Sequence, residues 1–264
     1  MIGTITAIGT TPVKGLRLQR RTEVMLTEAG AADDRRFFVI DRQDRMVNNK
    51  RIGRLMAVVA DYDPRDTRLT LTFPDGTSVA SETRDGEPVE ATFFSLRPTT
   101  VLVPGPFSEA LSDYAGESLR LARIDPRRGG IDRGPAAGVS LISEASVQRL
   151  AGLAGQSVDS RRFRMTFEVA GLEAHQEDAL VGSEVRIGEA LVAFGGNVGR
   201  CLVTGLSPET GTVDLPTLAL LDYRNGVDTT EPLPFGVYGR VLEPGRVRLG
   251  DALTATDVPA RSGT

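Results

Sequence analysis

The only cysteine of the chain, Cys201, lies in a segment that could bind a metal ion. Two glycines and Arg200 precede it in the stretch 196–201, and an apolar run follows it. A thiolate is a good ligand for soft or high-valent transition metals, and a guanidinium that points at the sulfur would favour its ionised form. A free cysteine is also common as a small buried core residue. The cysteine alone favours the buried core residue over the metal ligand.

Basic residues beside apolar segments form a second candidate group. Lys14 follows one apolar segment, Arg35 precedes another, and three arginines occur within 161–164. An arginine that faces inward from a half-buried strand needs an anion or a carboxylate beside it, and converging lysine and arginine side chains bind phosphate well. Each could also be a solvated strand end or pair with a neighbouring aspartate. Together they favour an anion-binding site.

Other residues with catalytic potential give weaker signals. The only histidine, His175, lies in a polar stretch typical of a surface loop, and no Gly-x-Ser-x-Gly motif supports serine catalysis. Glu177 and Asp178 are adjacent, so on a strand they would point to opposite faces, and a surface turn is the better interpretation. Tyr238 lies between glycines in a predicted strand, which leaves a packed core aromatic and a hydroxyl aimed at a site equally open. No glycine-rich nucleotide-binding motif follows a strand.

Composition argues against several classes of protein. Acidic and basic residues nearly balance, 35 against 31 in 264 residues, which gives no support for binding to nucleic acid or a membrane surface. A single cysteine excludes an intrachain disulfide, and with one histidine it argues against a zinc site. The N-terminus lacks the pattern of a signal peptide, and no stretch approaches the roughly 20 apolar residues of a membrane helix. We therefore expect a soluble, cytoplasmic protein.

The pattern along the chain predicts a mainly β protein, built from antiparallel barrels with a few helices. Short apolar segments alternate with turn residues over most of the length, and Cys201–Thr204 is expected to be one of the strands. Helices are predicted at Pro106–Tyr114, Ser143–Leu153 and Leu215–Tyr223.

A stretch rich in glycine and arginine, 125–135, interrupts all periodicity. It is either a domain boundary or a long functional loop. Placing a boundary there predicts one domain at 1–124 and a second at 125–256. The polar end of the chain, 257–264, is expected to be a disordered tail.

Several short motifs occur in an order that resembles a known family. They are Pro12–Gly15, Asp34–Ile40, Ser143–Ser146, Arg162–Arg164, Glu177–Asp178, Arg200–Cys201, Ser207–Gly211 and Phe235–Tyr238. Their order and spacing resemble the MOSC family (molybdenum cofactor sulfurase C-terminal domain) in its two-part form, with a MOSC N-terminal β-barrel domain. The chain is also similar in architecture to the mitochondrial amidoxime-reducing component and to bacterial reductases of N-hydroxylated bases. The resemblance extends to about Asp251.

The resemblance implies an oxidoreductase that depends on the molybdenum cofactor (Moco), a molybdenum-molybdopterin. In such proteins the cysteine at the Cys201 position ligates the metal, and a tyrosine at the Tyr238 position lies near the pterin. By this analogy Cys201 and Tyr238 are the catalytic residues, and Lys14 and Arg35 bind the phosphate end of the cofactor. The expected cofactor-binding residues are Lys14, Arg35, Asn48, Lys50, Arg164, Thr166, Arg200 and Tyr238.

The implied reaction removes oxygen from the nitrogen of a small N-hydroxylated molecule and releases it as water. The resemblance also implies a separate electron-donor protein, such as a cytochrome b5-like, flavin or iron–sulfur protein. Nucleic-acid and membrane partners are not expected. Two alternatives remain on the same scaffold. One is a molybdopterin or sulfur carrier without turnover, and the other is a cofactor-free enzyme of specialised metabolism that uses Cys201 or Tyr238 as a nucleophile or acid.

The chain departs from the family pattern at four places. Val198 stands where reductase members often have another cysteine. Met165–Thr166 replaces a Pro-Asn pair, Ala179–Leu180 replaces Ser-Trp, and Asn48–Lys50 replaces Thr-Ala-Arg. These changes bear on cofactor binding and substrate choice rather than on the fold.

Overall fold

Alternating burial along short segments explains why the chain forms sheets. In the segment Glu184–Ile187, for example, Val185 and Ile187 are fully buried while their neighbours are partly exposed, as expected for a strand with one face on a core. The computed structural model describes residues 1–93, 99–124 and 134–255. Within these residues most regular structure is strand, and three short α-helices accompany it, which confirms the predicted fold class.

The strands are β1 Gly3–Thr10, β2 Gln19–Arg21, β3 Glu23–Thr27, β4 Gly30–Ala31, β5 Phe37–Ile40, β6 Val59–Asp63, β7 Arg68–Thr72, β8 Ser78–Glu82, β9 Pro88–Glu90, β10 Thr99–Leu102, β11 Arg120–Arg123, β12 Val139–Ser143, β13 Phe167–Ala170, β14 Glu184–Ile187, β15 Ala190–Gly199, β16 Pro234–Glu243, β17 Gly245–Arg248 and β18 Ala252–Ala255. The α-helices are α1 Phe107–Ala115, α2 Glu144–Ala154 and α3 Thr217–Leu220. Single 3-10 turns occur at Gly53–Ala57, Gly134–Ala137, Ser160–Phe163, Gln176–Leu180, Leu202–Gly205 and Asp222–Arg224.

Seven strands close into a barrel in the order β13-β12-β16-β15-β14-β18-β1, because β1 also pairs with β13. The barrel is filled by apolar side chains that are almost completely buried, among them Ile8, Leu141, Phe167 and Val237. Closure pairs every strand on both sides and leaves no free edge within the ring. This ring contains the long strands β15, which ends two residues before Cys201, and β16, which carries Tyr238 near its middle.

The first strand of the chain completes a barrel whose other strands all come after residue 138. Gly3 pairs with Leu253 of β18, and Ile8 pairs with Phe167 of β13. In the same way, β17 pairs with β3 near the N-terminus. Strands β1 and β3, which precede the predicted boundary at residue 124, therefore pair with strands that follow it.

A second core lies among the earlier residues. The sheet β5-β11-β10-β9 and the meander β6-β7-β8 enclose Phe37, Leu55, Leu71 and Phe107, all buried. Helix α1 contributes Phe107, and Gly116, with a positive φ of 74°, caps its C-terminal end.

The other two predicted helices agree with the structure to different degrees. Helix α2 begins where predicted, because the Ser143 side chain accepts a hydrogen bond from the backbone N–H of Ser146. The helix expected over 215–223 is reduced to α3 and a 3-10 turn. The predicted strand at Cys201–Thr204 is wrong, because the chain turns into a 3-10 helix at Leu202. Among the described residues, no helix is long and apolar enough to span a bilayer. The predicted tail at 257–264 and most of the stretch 125–135 lie outside the described residues.

Candidate functional site

A cavity of about 460 Å³ brings together parts of the chain that are far apart in sequence. Its walls combine basic side chains, the loop that carries the thiol, and Val47 of the second core. The lining residues include Lys14, Gly15, Arg35, Met46, Val47, Asn48, Asn49, Lys50, Ser140, Arg162, Phe163, Arg164, Met165, Arg200, Cys201 and Tyr238. Seven of the eight predicted cofactor-binding residues, together with the predicted metal ligand, therefore share one cavity.

Cys201 lies at the end of the bulged strand β15, and it is exposed. Its backbone is extended, and its carbonyl oxygen accepts hydrogen bonds from both the N–H and the hydroxyl of Thr204, at 3.0 and 2.9 Å. These bonds fix the turn that presents the thiol. The interpretation of this cysteine as a buried core residue is wrong, because its side chain is open to solvent and lines the cavity.

Arg164 carries the clearest sign of a missing partner. Its Nη1 and Nη2 atoms are buried, and neither has a hydrogen-bond partner among the described residues. Burial, together with the nearby charge of Arg35, lowers the pKa of this guanidinium to about 9. Its backbone has a φ of 56°, an uncommon conformation for arginine that surrounding contacts must maintain. Buried donors without acceptors are costly, so the geometry favours an anion at this position.

Arg35 connects the two parts of the cavity wall. Its Nη2 donates to the backbone oxygen of Arg164 at 2.7 Å, and its Nη1 pairs with Asp34. Asp34 in turn accepts a hydrogen bond from the backbone N–H of Thr11 at 2.7 Å. Arg35 also has a positive φ, 50°. The loop after β4 therefore fixes one arginine so that it supports the backbone of another.

Lys14 completes a group of three cations. Burial and the charges of Arg35 and Arg164 hold the pKa of Lys14 well below its usual value of 10.5. Its ammonium lies 5.3 Å from the centre of the Phe93 ring. Like charges brought together away from water disfavour the charged forms. A phosphate would relieve that repulsion and supply acceptors to Arg164.

Tyr238 and Arg200 line the same cavity, but in different ways. Tyr238 lies beside Gly196 of the neighbouring strand, where a Cβ atom would come within 2.7 Å of the tyrosine hydroxyl. The guanidinium of Arg200 donates to the backbone oxygens of Phe163 and Phe235 and to the sulfur of Met165. These acceptors lie in the cavity wall, so the contacts shown for Arg200 are with the protein rather than with the thiol.

The remaining predicted residues occupy the rim and the layer behind it. Asn48 and Lys50 line the cavity, and the Asn48 side-chain oxygen accepts the backbone N–H of Lys50 at 3.0 Å. Thr166 is almost completely buried and is not part of the lining. Its hydroxyl lies 3.3 Å from that of Ser140, which does line the cavity. Thr166 therefore reaches the site only through Ser140.

Three polar residues of the lining, Asn49, Ser140 and Thr204, are not among the predicted site residues. Asn49 is buried, and its side-chain nitrogen donates to the backbone oxygen of Gly15 at 2.7 Å, which ties the rim to the Lys14 loop. Ser140 lies on β12 and exchanges hydrogen bonds with Thr166. Asn49 falls in the segment 48–50 that departs from the family pattern, but its contact and that of Ser140 join residues distant in the chain, which local motifs do not reveal.

A second polar cluster, formed by Ser143, Ser146, His175 and Glu177, corrects the surface interpretation of Glu177. Glu177 is completely buried, and it accepts a hydrogen bond from the Ser146 hydroxyl at 2.7 Å. Its burial raises the pKa of the carboxyl group above the usual 4.5. His175 is partly buried, and its Nε2 lies 2.8 Å from the Tyr223 hydroxyl. None of these residues lines the cavity.

Comparison with known proteins gives matches along most of the chain. The family model described as the MOSC N-terminal beta barrel domain matches residues 2–104, and the model described as the MOSC domain matches residues 129–254. The chain is 33% identical to mitochondrial amidoxime reducing component 2 of Rattus norvegicus over 43% of its own length and 35% of the rat protein. It is 22% identical to mitochondrial amidoxime-reducing component 1 of Xenopus laevis over 95% of its length and 81% of the frog protein.

Solved structures are similar to parts or all of the chain at low identity. The YuaD protein of Bacillus subtilis matches with a TM-score of 0.47 and 14% identity, over 96% of this chain and 94% of that one. YiiM from Geobacillus stearothermophilus matches with a TM-score of 0.37 and 19% identity, over 47% of this chain and 56% of that one.

Proposed function

Because this chain belongs to the MOSC family, with a MOSC N-terminal barrel domain ahead of its MOSC domain, we propose that it is a molybdenum-cofactor-dependent reductase of small N-oxygenated molecules. Its relatives named amidoxime-reducing components support a reductive reaction at nitrogen. The observation that carries the proposal is the pair of unsatisfied, buried Arg164 nitrogens in the same cavity as an exposed thiol.

The residues present fit the phosphate and the metal of such a cofactor. Lys14, Arg35 and Arg164 would hold the phosphate, since arginine donates two parallel hydrogen bonds to it and lysine adds a point charge. Cys201 would ligate the molybdenum through its sulfur. When bound, the cofactor would supply the two-electron chemistry between an electron donor and the substrate.

The protein groups would bind, orient and supply protons. Removing oxygen from an N–OH group as water takes two electrons and two protons, so a proton source in the cavity is required. Tyr238 lines the cavity with a hydroxyl that can donate a proton at its oxygen. The electrons would come from a separate protein, such as a cytochrome b5-like, flavin or iron–sulfur protein.

The proposal is tested by elemental analysis of the native protein beside Cys201→Ser. We expect about one molybdenum per chain in the native protein and almost none in the variant, because an oxygen ligand replaces the soft sulfur. The matched control is Leu202→Ala, which changes the exposed neighbour and should keep its metal. Equal metal in Cys201→Ser would reject the ligand assignment.

Activity separates the proposal from its alternatives. Hydroxylamine-dependent consumption of electrons by the metal-loaded protein would support a reductase. Metal binding without such consumption would favour a molybdopterin carrier. Full activity from a host starved of molybdate would favour a cofactor-free enzyme.

A further inference from the structure

The guanidinium of Arg200 contacts both neighbours of Arg164. Its Nη1 donates to the backbone oxygen of Phe163 at 2.9 Å, and its Nη2 lies 3.0 Å from the sulfur of Met165. Its Nε donates to the backbone oxygen of Phe235 at 2.9 Å. The guanidinium also lies over the ring of Phe163, 5.3 Å from its centre. One side chain, next to the thiol in sequence, thus contacts the residues before and after the orphaned arginine.

We propose that Arg200 is a positioning residue that fixes Arg164 relative to Cys201. This inference rests on the proposed function, and it concerns the way this chain holds the two ends of the cofactor site at a constant separation. Arg200 adjoins Cys201 through one peptide bond, so any shift of the segment 163–165 is transmitted to the thiol turn. The resemblance to the family implied a direct contact with cofactor at this position, whereas the contacts point to a connection between two loops.

The shape of the guanidinium suits this task. It is planar and presents donors in fixed directions, so three acceptors on two different segments set its position. Arg164 has a positive φ that needs support from its neighbours. Arg200 supplies that support by holding the residue on each side. A lysine at this position has a single point of attachment and could satisfy only part of the arrangement.

Gly236 leaves room for this contact, and Met165 supplies one of its acceptors. A Cβ atom on Gly236 would lie 2.6 Å from the terminal carbon of Met165 and 3.4 Å from Nη2 of Arg200. The φ of Gly236 is 92°, which also favours glycine. Met165 stands where the family pattern has proline, and proline has no side-chain acceptor. The contact between sulfur and guanidinium is therefore a feature of this chain's own sequence.

The test compares phosphate binding by the full chain, freed of metal and cofactor, for native protein, Arg200→Gln and Arg200→Lys. Inorganic phosphate is titrated by calorimetry, and thermal unfolding is recorded on the same samples. We expect Arg200→Gln to bind phosphate roughly tenfold more weakly, with a partial recovery in Arg200→Lys. Arg186→Gln is the control, since this arginine lies on β14 and pairs with Glu243 away from the cavity.

A second readout reports the thiol end. The rate at which iodoacetamide alkylates Cys201 is measured with and without phosphate. Phosphate should slow alkylation in the native protein and in Arg186→Gln, and should do so much less in Arg200→Gln, because the two ends are no longer held together. A purely structural role would lower the unfolding temperature and leave the effect of phosphate unchanged.

Each outcome has one meaning. Native phosphate affinity and a native effect of phosphate on alkylation in Arg200→Gln would overturn the positioning role alone. Absence of phosphate binding in the native protein would overturn the anion site and the proposed function with it. If Arg200→Gln does not fold, Met165→Leu decides, because it removes one acceptor at nearly constant volume. A roughly threefold loss of phosphate affinity supports the inference, and an unchanged affinity rejects it.

Discussion

Nη2 of Arg35 donates to the backbone oxygen of Arg164 across 2.7 Å, so the orientation of one cavity arginine depends on another that lies 129 positions earlier in the chain. Both have positive φ angles. Contacts of this kind hold a binding site in place before its ligand arrives, which reduces the ordering that binding requires. The same arrangement buries Arg164 nitrogens that have no acceptor among the described residues, and this has measurable consequences.

Replacing Arg164 by methionine should stabilise the cofactor-free protein while abolishing phosphate binding. The buried Nη atoms have no hydrogen-bond partner in the described part of the chain, and an unsatisfied buried donor costs about 1–3 kcal/mol. Removing them should therefore raise the free energy of unfolding by about 1 kcal/mol. Urea denaturation and phosphate calorimetry on the same variant check both parts.

Arg162, a buried arginine two positions before Arg164, gives a matched comparison in which the expected change in stability has the opposite sign. Arg162 is also buried, but its Nη1 bonds to Asp214 and to the backbone oxygen of Thr204, both at 3.0 Å. Arg162→Met should therefore destabilise the protein by about 3 kcal/mol, because it leaves the Asp214 carboxylate and the Thr204 carbonyl oxygen without this donor. A loss of stability in Arg164→Met as large as that in Arg162→Met would contradict the unsatisfied state of Arg164.

Glu177→Gln should make the protein more stable at neutral pH and have less effect in acid. Burial raises the pKa of Glu177 above 4.5, so the folded protein holds its proton more tightly than the unfolded chain. Stability therefore falls as pH rises from 4.5 through the raised pKa. Glutamine removes this titration and keeps an acceptor for the Ser146 hydroxyl. Urea unfolding at pH 4.5, 6 and 8 should show an advantage of glutamine that grows with pH, whereas the exposed control Glu173→Gln should show none.

His175→Asn should flatten the loss of stability in mild acid. Burial and the charges of Arg224 and Arg149 lower the pKa of His175 from 6.5 to about 4. Between pH 6.5 and about 4 the histidine is protonated in the unfolded chain but not in the folded protein, so the free energy of unfolding decreases as pH falls across that range. Thermal unfolding from pH 7 to pH 4 would measure the slope. A slope as steep in His175→Asn as in the native protein would mean that other groups carry the acid sensitivity.

Tyr238→Phe should reduce turnover without reducing metal content. Loss of a positioned proton donor lowers rates by about 10²-fold or more, while the ring keeps its place in β16. Steady-state kinetics with an N-hydroxylated test substrate, beside molybdenum analysis, separates the two effects. Unchanged turnover would assign the proton to another group.

Replacing Gly196, which pairs with Tyr238 on the neighbouring strand, by alanine tests the role of the tyrosine, with Gly152→Ala as a control. Gly196→Ala would place a Cβ 2.7 Å from the Tyr238 hydroxyl, so it should destabilise the protein by about 1–3 kcal/mol and displace the tyrosine. Gly152→Ala in α2 meets open space and should stabilise the helix by about 0.5–1 kcal/mol. Turnover should fall in Gly196→Ala alone.

The sequence was sufficient for the fold class, for the family and for the gathering of Lys14, Arg35, Arg164 and Cys201 in one cavity. Those inferences depend on short motifs and on alternating apolar residues, which can be recognised in a single sequence. The burial of Glu177 could not be predicted, because its hydrogen-bond partner Ser146 lies 31 positions earlier and no local sequence motif links the two residues. The apolar run after Cys201 predicts a strand, whereas the hydrogen bonds from Thr204 to the Cys201 carbonyl oxygen form a turn.

The pairing of β1 with β18 has a consequence for synthesis of the protein. Residues 3 and 4 pair with a strand that begins at residue 252, so the start of the first strand lacks one of its two neighbouring strands until that segment has been synthesised. An exposed strand edge invites aggregation during that interval. We expect chains truncated before residue 250 to precipitate or to be recovered with chaperones, even though every cavity residue named above would already have been made.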